Sequence, residues 1–169
     1  ASFVFETTFI NSPKAELYGL ELEYRTRFEM PLPGAFFDAR EWLFSTNYTY
    51  TSSEVQAAEG QLIFDPVLRT PRDAALFGLD GSELQGTPEN IVNLQFGWES
   101  DVDQLTLLVG FVDDRILQRG FGEGSFALPN VVEEPGTQVD LVYRRNFNIG
   151  GRDLEFGLSG RNLLDEQHI

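Results

Sequence analysis

The most regular pattern in the chain is the alternation of apolar and charged side chains along AELYGLELEYRTRFEMPLPG, residues 15–34. A period of two indicates a β-strand, because successive side chains of a strand point to opposite faces of the sheet. The strand fits a soluble sandwich, in which a second sheet covers the apolar face. It equally fits an outer-membrane barrel, in which lipid covers that face.

Five later segments alternate in the same way, and a less regular first strand covers roughly residues 2–10. The five segments are EWLFSTNYTYTSS (41–53), ENIVNLQFGWES (89–100), QLTLLVGFVDD (104–114), TQVDLVYRRNF (137–147) and DLEFGLSGRNLL (153–164). Their spacing predicts an all-β fold of about seven strands, without a convincing helix, in which neighbouring strands pair as antiparallel hairpins.

The connections between these strands differ in length. Short or fairly short connections lie at positions 30–40, 100–103 and 148–152, and long ones lie at positions 54–85 and 115–135. A connection of about thirty residues is uncommon inside a compact soluble domain. Short and long connections alternate, except that the connection at positions 11–14 is short where a long one is due. The long connections are therefore expected at one end of the sheet, as in a transmembrane β-barrel.

In such a barrel, lipid would face the apolar positions and a hydrated lumen would face the polar ones. The residues predicted to face lipid are Tyr18, Leu20, Leu22, Tyr24, Phe28, Leu94, Phe96, Trp98, Leu141, Tyr143 and Phe156. The residues predicted to face the lumen are Glu21, Glu23, Arg25, Arg27, Gln95, Asp140, Arg144, Glu155 and Arg161.

Phe28, Trp98 and Phe147 lie near short turns, which predicts an aromatic girdle where lipid meets water. Two residues do not fit, Arg145 on the apolar positions and Leu108 on the polar ones.

Composition limits the functions that the chain can have. The formal net charge of −15 argues against nucleic acid as a partner, because phosphate would be repelled. The chain has no cysteine and a single histidine, His168, so we predict no catalysis, no metal site and no cofactor. Asp101 and Asp103 flank a tight turn, and turn chemistry explains them better than calcium binding does.

Ligand recognition is expected in the long connections, because loops carried on a rigid scaffold commonly bind ligands. The polar candidates there are Arg69, Arg72, Asp73, Asp80, Arg115 and Arg119. An arginine cluster could hold an anionic chelate or a carboxylate. The alternative, that these groups are solvated loop charges paired with nearby acids, has the greater weight for any one of them.

Three segments resemble the late barrel strands of TonB-dependent outer-membrane receptors, and they occur in that family's order. They are NSPKAELYGLELE (11–23), LQGTPENIVNLQFGWE (84–99) and LEFGLSGRNLLDEQHI (154–169). In the last segment, the residues that match the asparagine-leucine-x-aspartate end of the family's penultimate strand are Asn162, Leu163, Leu164 and Asp165.

The resemblance implies that residues 1–169 are the C-terminal portion of an antiparallel transmembrane β-barrel of about 22 strands, without its plug domain and last strand. It implies active uptake of a scarce ligand, such as a ferric siderophore or another metal chelate, across the bacterial outer membrane. The implied partners are outer-membrane lipid, that small-molecule ligand, and TonB through a missing N-terminal part. Two alternatives stay open, a small complete outer-membrane barrel with a structural or adhesive role and a soluble ligand-binding β-domain.

Overall fold

The computed structural model describes residues 14–57, 60–65, 69–74, 80–120 and 128–167. Ten strands lie in these ranges: β1 (Lys14–Glu29), β2 (Glu41–Gln56), β3 (Leu62–Asp65), β4 (Thr70–Asp73), β5 (Asn90–Glu99), β6 (Asp103–Val112), β7 (Arg115–Gln118), β8 (Val131–Glu133), β9 (Gly136–Ile149) and β10 (Arg152–Gly160). A single turn of helix, α1 (Ala35–Asp38), precedes β2. The predicted all-β class is therefore confirmed, and the predicted strand over residues 2–10 lies outside the described residues.

Six of the strands form one open sheet in the order β1-β2-β5-β6-β9-β10. The pairings from β2 to β10 are antiparallel. Strands β1 and β2 are also antiparallel. Arg27, near the end of β1, bonds Glu41 at the start of β2, whereas Glu21, earlier in β1, bonds Asn47, later in β2. The antiparallel hairpins expected from the sequence are confirmed. Within the described part of the chain the sheet does not close on itself, because β1 and β10 each have one neighbour.

The two long connections contain strands that the alternation did not predict. Along the chain, β3 and β4 follow β2 and form a separate two-stranded hairpin, and β7 and β8 follow β6 and form another. These strands have only three or four residues, too few for a period of two to stand out. The helix α1, also not predicted, is one turn long and has no side-chain cap.

Strand β10 ends at Gly160, four residues before the end of the alternating segment at Leu164. The chain turns because Asn162 and Asp165 adopt left-handed conformations, with φ of 48° and 54°. The Asn162 N–H donates to Asp140 Oδ1 at 2.9 Å, and the Leu163 N–H donates to the Val139 carbonyl at 2.8 Å. These bonds hold the segment after β10 against β9, so Arg161, predicted to line the lumen, lies just beyond the strand.

The chain divides into two compact units. One consists of Ala1–Tyr18, Thr51–Thr87 and Arg115–Glu133, and contains the two short hairpins. The other consists of Gly19–Tyr50, Pro88–Asp114 and Glu134–Ile169, and contains most of the six-stranded sheet.

The register places the predicted apolar positions of neighbouring strands opposite one another. Trp42 lies opposite Trp98, which in turn lies opposite Leu105. The same holds along the sheet for Phe44–Phe96–Leu107–Leu141 and for Thr46–Leu94–Val109–Val139. A shift of one residue in any of these pairings would place the apolar positions of one strand opposite the other face of its neighbour. The apolar positions therefore form one continuous face from β2 to β10.

Close backbone approach makes Gly97 in β5 a point where the sheet tolerates no side chain. A Cβ built at Gly97 would overlap the carbonyl oxygen of Leu105 on β6. We expect Gly97→Ala to lower the free energy of unfolding by about 1–3 kcal/mol, measured by denaturant titration, because the two strands must separate. The matched control is Gly157→Ala in β10, where a Cβ meets nothing within 4 Å. Equal losses in the two variants would contradict this explanation.

Candidate functional site

The six charged residues predicted to bind a ligand all belong to the unit that contains the two short hairpins. Arg115 opens β7 and its Nε donates to Glu133 Oε2 on β8 at 2.5 Å. Arg119 donates from Nη1 to Ser82 Oγ and from Nη2 to the Glu83 carbonyl. Burial lowers the pKa of Arg119, and the Glu83 carboxylate opposes that shift. Both arginines thus link segments of the unit, and an anion would have to displace these partners.

The other four candidates have separate positions. Asp80 Oδ1 accepts a hydrogen bond from the Ala57 N–H at 3.1 Å, which ties the turn before Gly81 to the end of β2. Arg72 and Asp73 lie on β4, opposite Ile63 and Leu62, and both have interactions within the structure. Arg69 is exposed in the turn immediately before this strand, with φ of 54°. The structure shows ion-pair or hydrogen-bond roles for Arg115, Arg119 and Asp80, and ligand binding by the six stays a prediction.

The polar face of the sheet carries cross-strand bonds between its side chains. Arg27 pairs with Glu41 at 2.8 Å. Asn47 donates to Glu21 at 3.2 Å and accepts from Asn93 at 2.8 Å. On the same face, a shallow depression of about 330 Å³ is lined by the polar residues Ser45, Asn47, Asn93, Gln95, Gln138 and Asp140, together with Leu94, Leu108, Val109 and Gly110. The polar positions predicted to line a lumen therefore form a hydrogen-bonding surface that suits contact with water or a polar molecule.

One end of the apolar face carries a chain of polar groups. Tyr48 Oη donates to Asn90 Oδ1, and Asn90 Nδ2 donates to Asp113 Oδ2, each at 2.8 Å. The hydrogen bond from Asn90 holds the pKa of Asp113 below its usual value, against the opposing effect of partial burial. Asp113 follows the last residue of β6, so this chain of polar groups marks the place where the apolar face stops.

The Asp113 pKa gives a prediction for Asn90→Ala. Because the folded pKa lies below the unfolded one, ionised Asp113 stabilises the fold above the ordinary pKa of 3.8. That stabilisation is lost as the pH falls from 3.8 through the folded pKa. Asn90→Ala should raise the folded pKa, and the carboxyl carbon signal of Asp113 in an NMR titration reports it. In the control Asn93→Ala, which removes an amide bonded to Asn47 instead, the titration should not change.

The other end of the apolar face carries an aromatic cluster, made up of Phe36, Phe37, Trp42, Phe96 and Trp98. Trp42 is at its centre, with ring centroids 5.1 Å from Trp98 and 5.6 Å from Phe96. Phe36 and Phe37, from α1, lie 6.4 and 6.2 Å from Trp42. The structure places Trp98 in a cluster with four other rings, and its place in an aromatic girdle stays a prediction.

An ion pair between Arg40 and Asp103 adjoins the aromatic cluster. Arg40 Nη2 lies 2.5 Å from Asp103 Oδ2, and the two side chains are 12% and 3% exposed. The Arg40 guanidinium also lies 4.0 Å from the centre of the Phe36 ring. Ser100 Oγ donates to the second carboxylate oxygen, Asp103 Oδ1, at 2.7 Å. The turn chemistry predicted for Asp103 is confirmed, whereas its pairing with Arg40 was not foreseen.

Beyond these networks, the described residues contain no group of three or more histidine, cysteine, aspartate or glutamate side chains that could hold a metal ion. In the same ranges, every helix is too short or too polar to cross a membrane. Comparisons with models of known protein families, with curated proteins and with solved structures find no match to this chain. Function must therefore be inferred from the sheet and its two faces.

Proposed function

We propose that this chain forms part of the wall of an outer-membrane β-barrel, with its apolar face against lipid and its polar face toward a hydrated lumen. The observation that carries the proposal is the lack of protein cover on the apolar face. Among the described residues only three hydrophobic side chains are buried, Trp42, Val55 and Ala74. In a two-layer soluble domain, the centre of such a face would be buried against a second layer.

Exposure is greatest on the edge strands of the sheet. Tyr18, Leu20, Leu22 and Tyr24 on β1 are 54–66% exposed, and Leu154, Phe156 and Leu158 on β10 are 52–56% exposed. A contiguous apolar surface of this kind is costly in water and marks a binding or membrane surface. On the inner strands the corresponding side chains are half-buried by their neighbours on the same face.

The height of the apolar face also supports the proposal. On β6 the apolar face lies between two charged residues, Asp103 and Asp113, which are ten positions apart. At about 3.3 Å per residue, ten residues extend about 33 Å, which a tilt of about 35–45° reduces to about 23–27 Å. Outer-membrane barrels have an apolar band about 25 Å tall, bounded by aromatic residues at both interfaces. Here Trp42 and Trp98 lie toward one end of the face, and Tyr48 lies toward the other.

Stagger between hairpins fits a barrel wall as well. Asp103 at the start of β6 lies opposite Arg145, and β9 continues past it for four more residues, Asn146–Ile149. Closing a sheet into a barrel requires tilted strands whose register is staggered in this way.

Within this class, we favour a TonB-dependent receptor that takes up a scarce ligand such as a ferric siderophore, because of the three segments that resemble that family. The described sheet would supply six of the barrel's strands, and further strands would pair with β1 and β10. Partners would then be membrane lipid, the ligand, and TonB through a part outside this chain.

Partition between buffer and lipid tests the proposed location. Refolded with phosphatidylcholine vesicles, where the open edges of β1 and β10 would pair with those of other copies, the 169-residue chain should float with the vesicles in a density gradient and resist extraction by alkaline carbonate. Leu20→Asp/Leu22→Asp should weaken this association, because both carboxylates would face lipid. The matched control Glu21→Gln/Glu23→Gln changes the other face and should insert normally. A chain that stays monomeric in buffer and never floats would overturn the proposal in favour of a soluble domain.

A further inference from the structure

Three N–H donors are buried without an acceptor at the aromatic end of the apolar face. They are Arg40 Nε, Trp42 Nε1 and Trp98 Nε1, none of which has a hydrogen-bond partner among the described residues. An unsatisfied buried donor costs about 1–3 kcal/mol, and native proteins rarely leave one without an acceptor. The three belong to one cluster, since the Trp42 and Trp98 rings lie 5.1 Å apart and the Arg40 guanidinium lies 5.9 Å from Trp98.

Two arginines, Arg40 and Arg145, lie near these donors. Asp103 bonds Arg40 and also lies opposite Arg145 in the register, so one carboxylate faces two guanidinium groups. Arg145 is exposed on the apolar face, and its guanidinium lies 5.2 Å from the centre of the Phe147 ring. The carboxylates of Glu41 and Glu99, at the ends of β2 and β5, lie opposite each other on the polar face.

We propose that Arg40, Trp42, Trp98 and Arg145 form a binding site for the phosphate of an anionic phospholipid headgroup. Phosphate oxygens would accept hydrogen bonds from the indole and guanidinium N–H groups. The positive charge of Arg145 would make an anionic headgroup bind more strongly than a headgroup without net charge. Tryptophan and arginine at a lipid–water boundary commonly present an apolar body to the chains and a polar end to the headgroups. The site rests on the proposed membrane location of the apolar face.

Access to the two indole groups requires α1 to shift. The helix has one turn and no side-chain cap, and its backbone bonds run from Phe37 and Asp38 to the Gly34 carbonyl. Arg40 Nη1 also donates to the Phe36 carbonyl at 2.7 Å. Phe36 is 46% exposed, so its ring can move into the lipid chains as a headgroup approaches Trp98.

The test uses the tryptophan fluorescence of the whole chain, because Trp42 and Trp98 are its only two tryptophans. The chain is refolded into mixed vesicles of phosphatidylcholine and phosphatidylglycerol in which only one of the two lipids has brominated chains. Stronger quenching by brominated phosphatidylglycerol measures a preference for the anionic headgroup. We expect a preference of about fivefold, the factor for one cation at an anionic surface. The net charge of −15 would favour the opposite result, so a preference reports the local site.

Arg145→Gln should abolish the preference, whereas Arg144→Gln, the adjacent residue on the polar face, should retain it. Asp38→Asn, which removes the exposed carboxylate of α1, should increase it. Inorganic phosphate added to the vesicles should leave the quenching ratio unchanged if the site binds the lipid headgroup. Loss of the preference on adding phosphate would show that the site binds free phosphate, and would overturn the proposed headgroup site. Equal quenching by both lipids, with no effect of Arg145→Gln, would overturn the headgroup site alone. No quenching by either lipid would overturn the membrane location as well.

Discussion

Leu94→Arg should lower the free energy of unfolding of the chain in lipid by about 2–4 kcal/mol, the cost of arginine at mid-bilayer on the outside of a barrel. Leu94 lies in the middle of β5, opposite Thr46 on one side and Val109 on the other. It is therefore about equally far from the Trp42–Trp98 pair and from Asn90, where the apolar face ends. Urea titration of the vesicle-inserted chain measures the loss.

Gln95→Arg is the matched control, because Gln95 is the next residue of β5 and belongs to the polar face. It lies opposite Ser45 and Leu108, beside the depression that Asp140 also lines. A guanidinium at this position would stay in a hydrated region and near a carboxylate, so the change should be within about 0.5 kcal/mol. Similar losses for the two variants would mean that the two faces meet the same medium, contrary to the proposed location.

The sheet could be predicted from the sequence because its information is local. Each of its long strands alternates between apolar and polar residues over several positions. Leu94 and Gln95, for example, are consecutive in β5, so the alternation alone assigns them to opposite faces. The register then follows from matching apolar faces, as the pairing of Trp98 with Leu105 shows. The order of the strands also follows, since consecutive long strands pair as hairpins or neighbours.

The aromatic end of the sheet could not be predicted in the same way, because it is built by contacts between distant residues. Arg40 and Asp103 are 63 positions apart, and nothing in either neighbourhood specifies the other. Phe36 and Phe37 lie in a connection, where a pair of aromatic residues has no periodic pattern to assign it a face. The sequence FFDAREW did hold one signal, since two phenylalanines and an arginine next to a tryptophan are unusual in a solvated turn.

The charged residues of the long connections show a different limit. The sequence marked Arg115 and Arg119 as candidates because arginine binds anions well. The same property lets arginine bind carboxylates and carbonyl groups of its own chain, as both residues do with Glu133 and Glu83. Residue type alone could not separate these uses, since each depends on which acceptor the fold brings near.

Asp103→Ala should lower the free energy of unfolding by about 3–5 kcal/mol, the largest loss expected for any single substitution in the sheet. The substitution leaves the Arg40 guanidinium, which is only 12% exposed, without its carboxylate. It also removes the carboxylate acceptor of Ser100 Oγ in the turn between β5 and β6 and leaves only the longer bond to the main-chain carbonyl of residue 103. Denaturant titration measures the loss, and Glu41→Ala is the control. The Arg27–Glu41 pair is 60% and 53% exposed, so breaking it should cost less than about 1 kcal/mol.

A double variant separates the ion pair from the packing around it. Arg40→Met/Asp103→Leu removes both charges while keeping similar volume, and buried ion pairs replaced in this way are often neutral or more stable. We therefore expect the double variant to recover at least half of the stability that Asp103→Ala loses, because no charge stays buried without a partner. The methionine side chain can still contact the Phe36 ring, as sulfur does favourably with aromatic groups. If the double variant were as unstable as Asp103→Ala, the loss would come from the turn at Ser100 and not from an unpaired guanidinium.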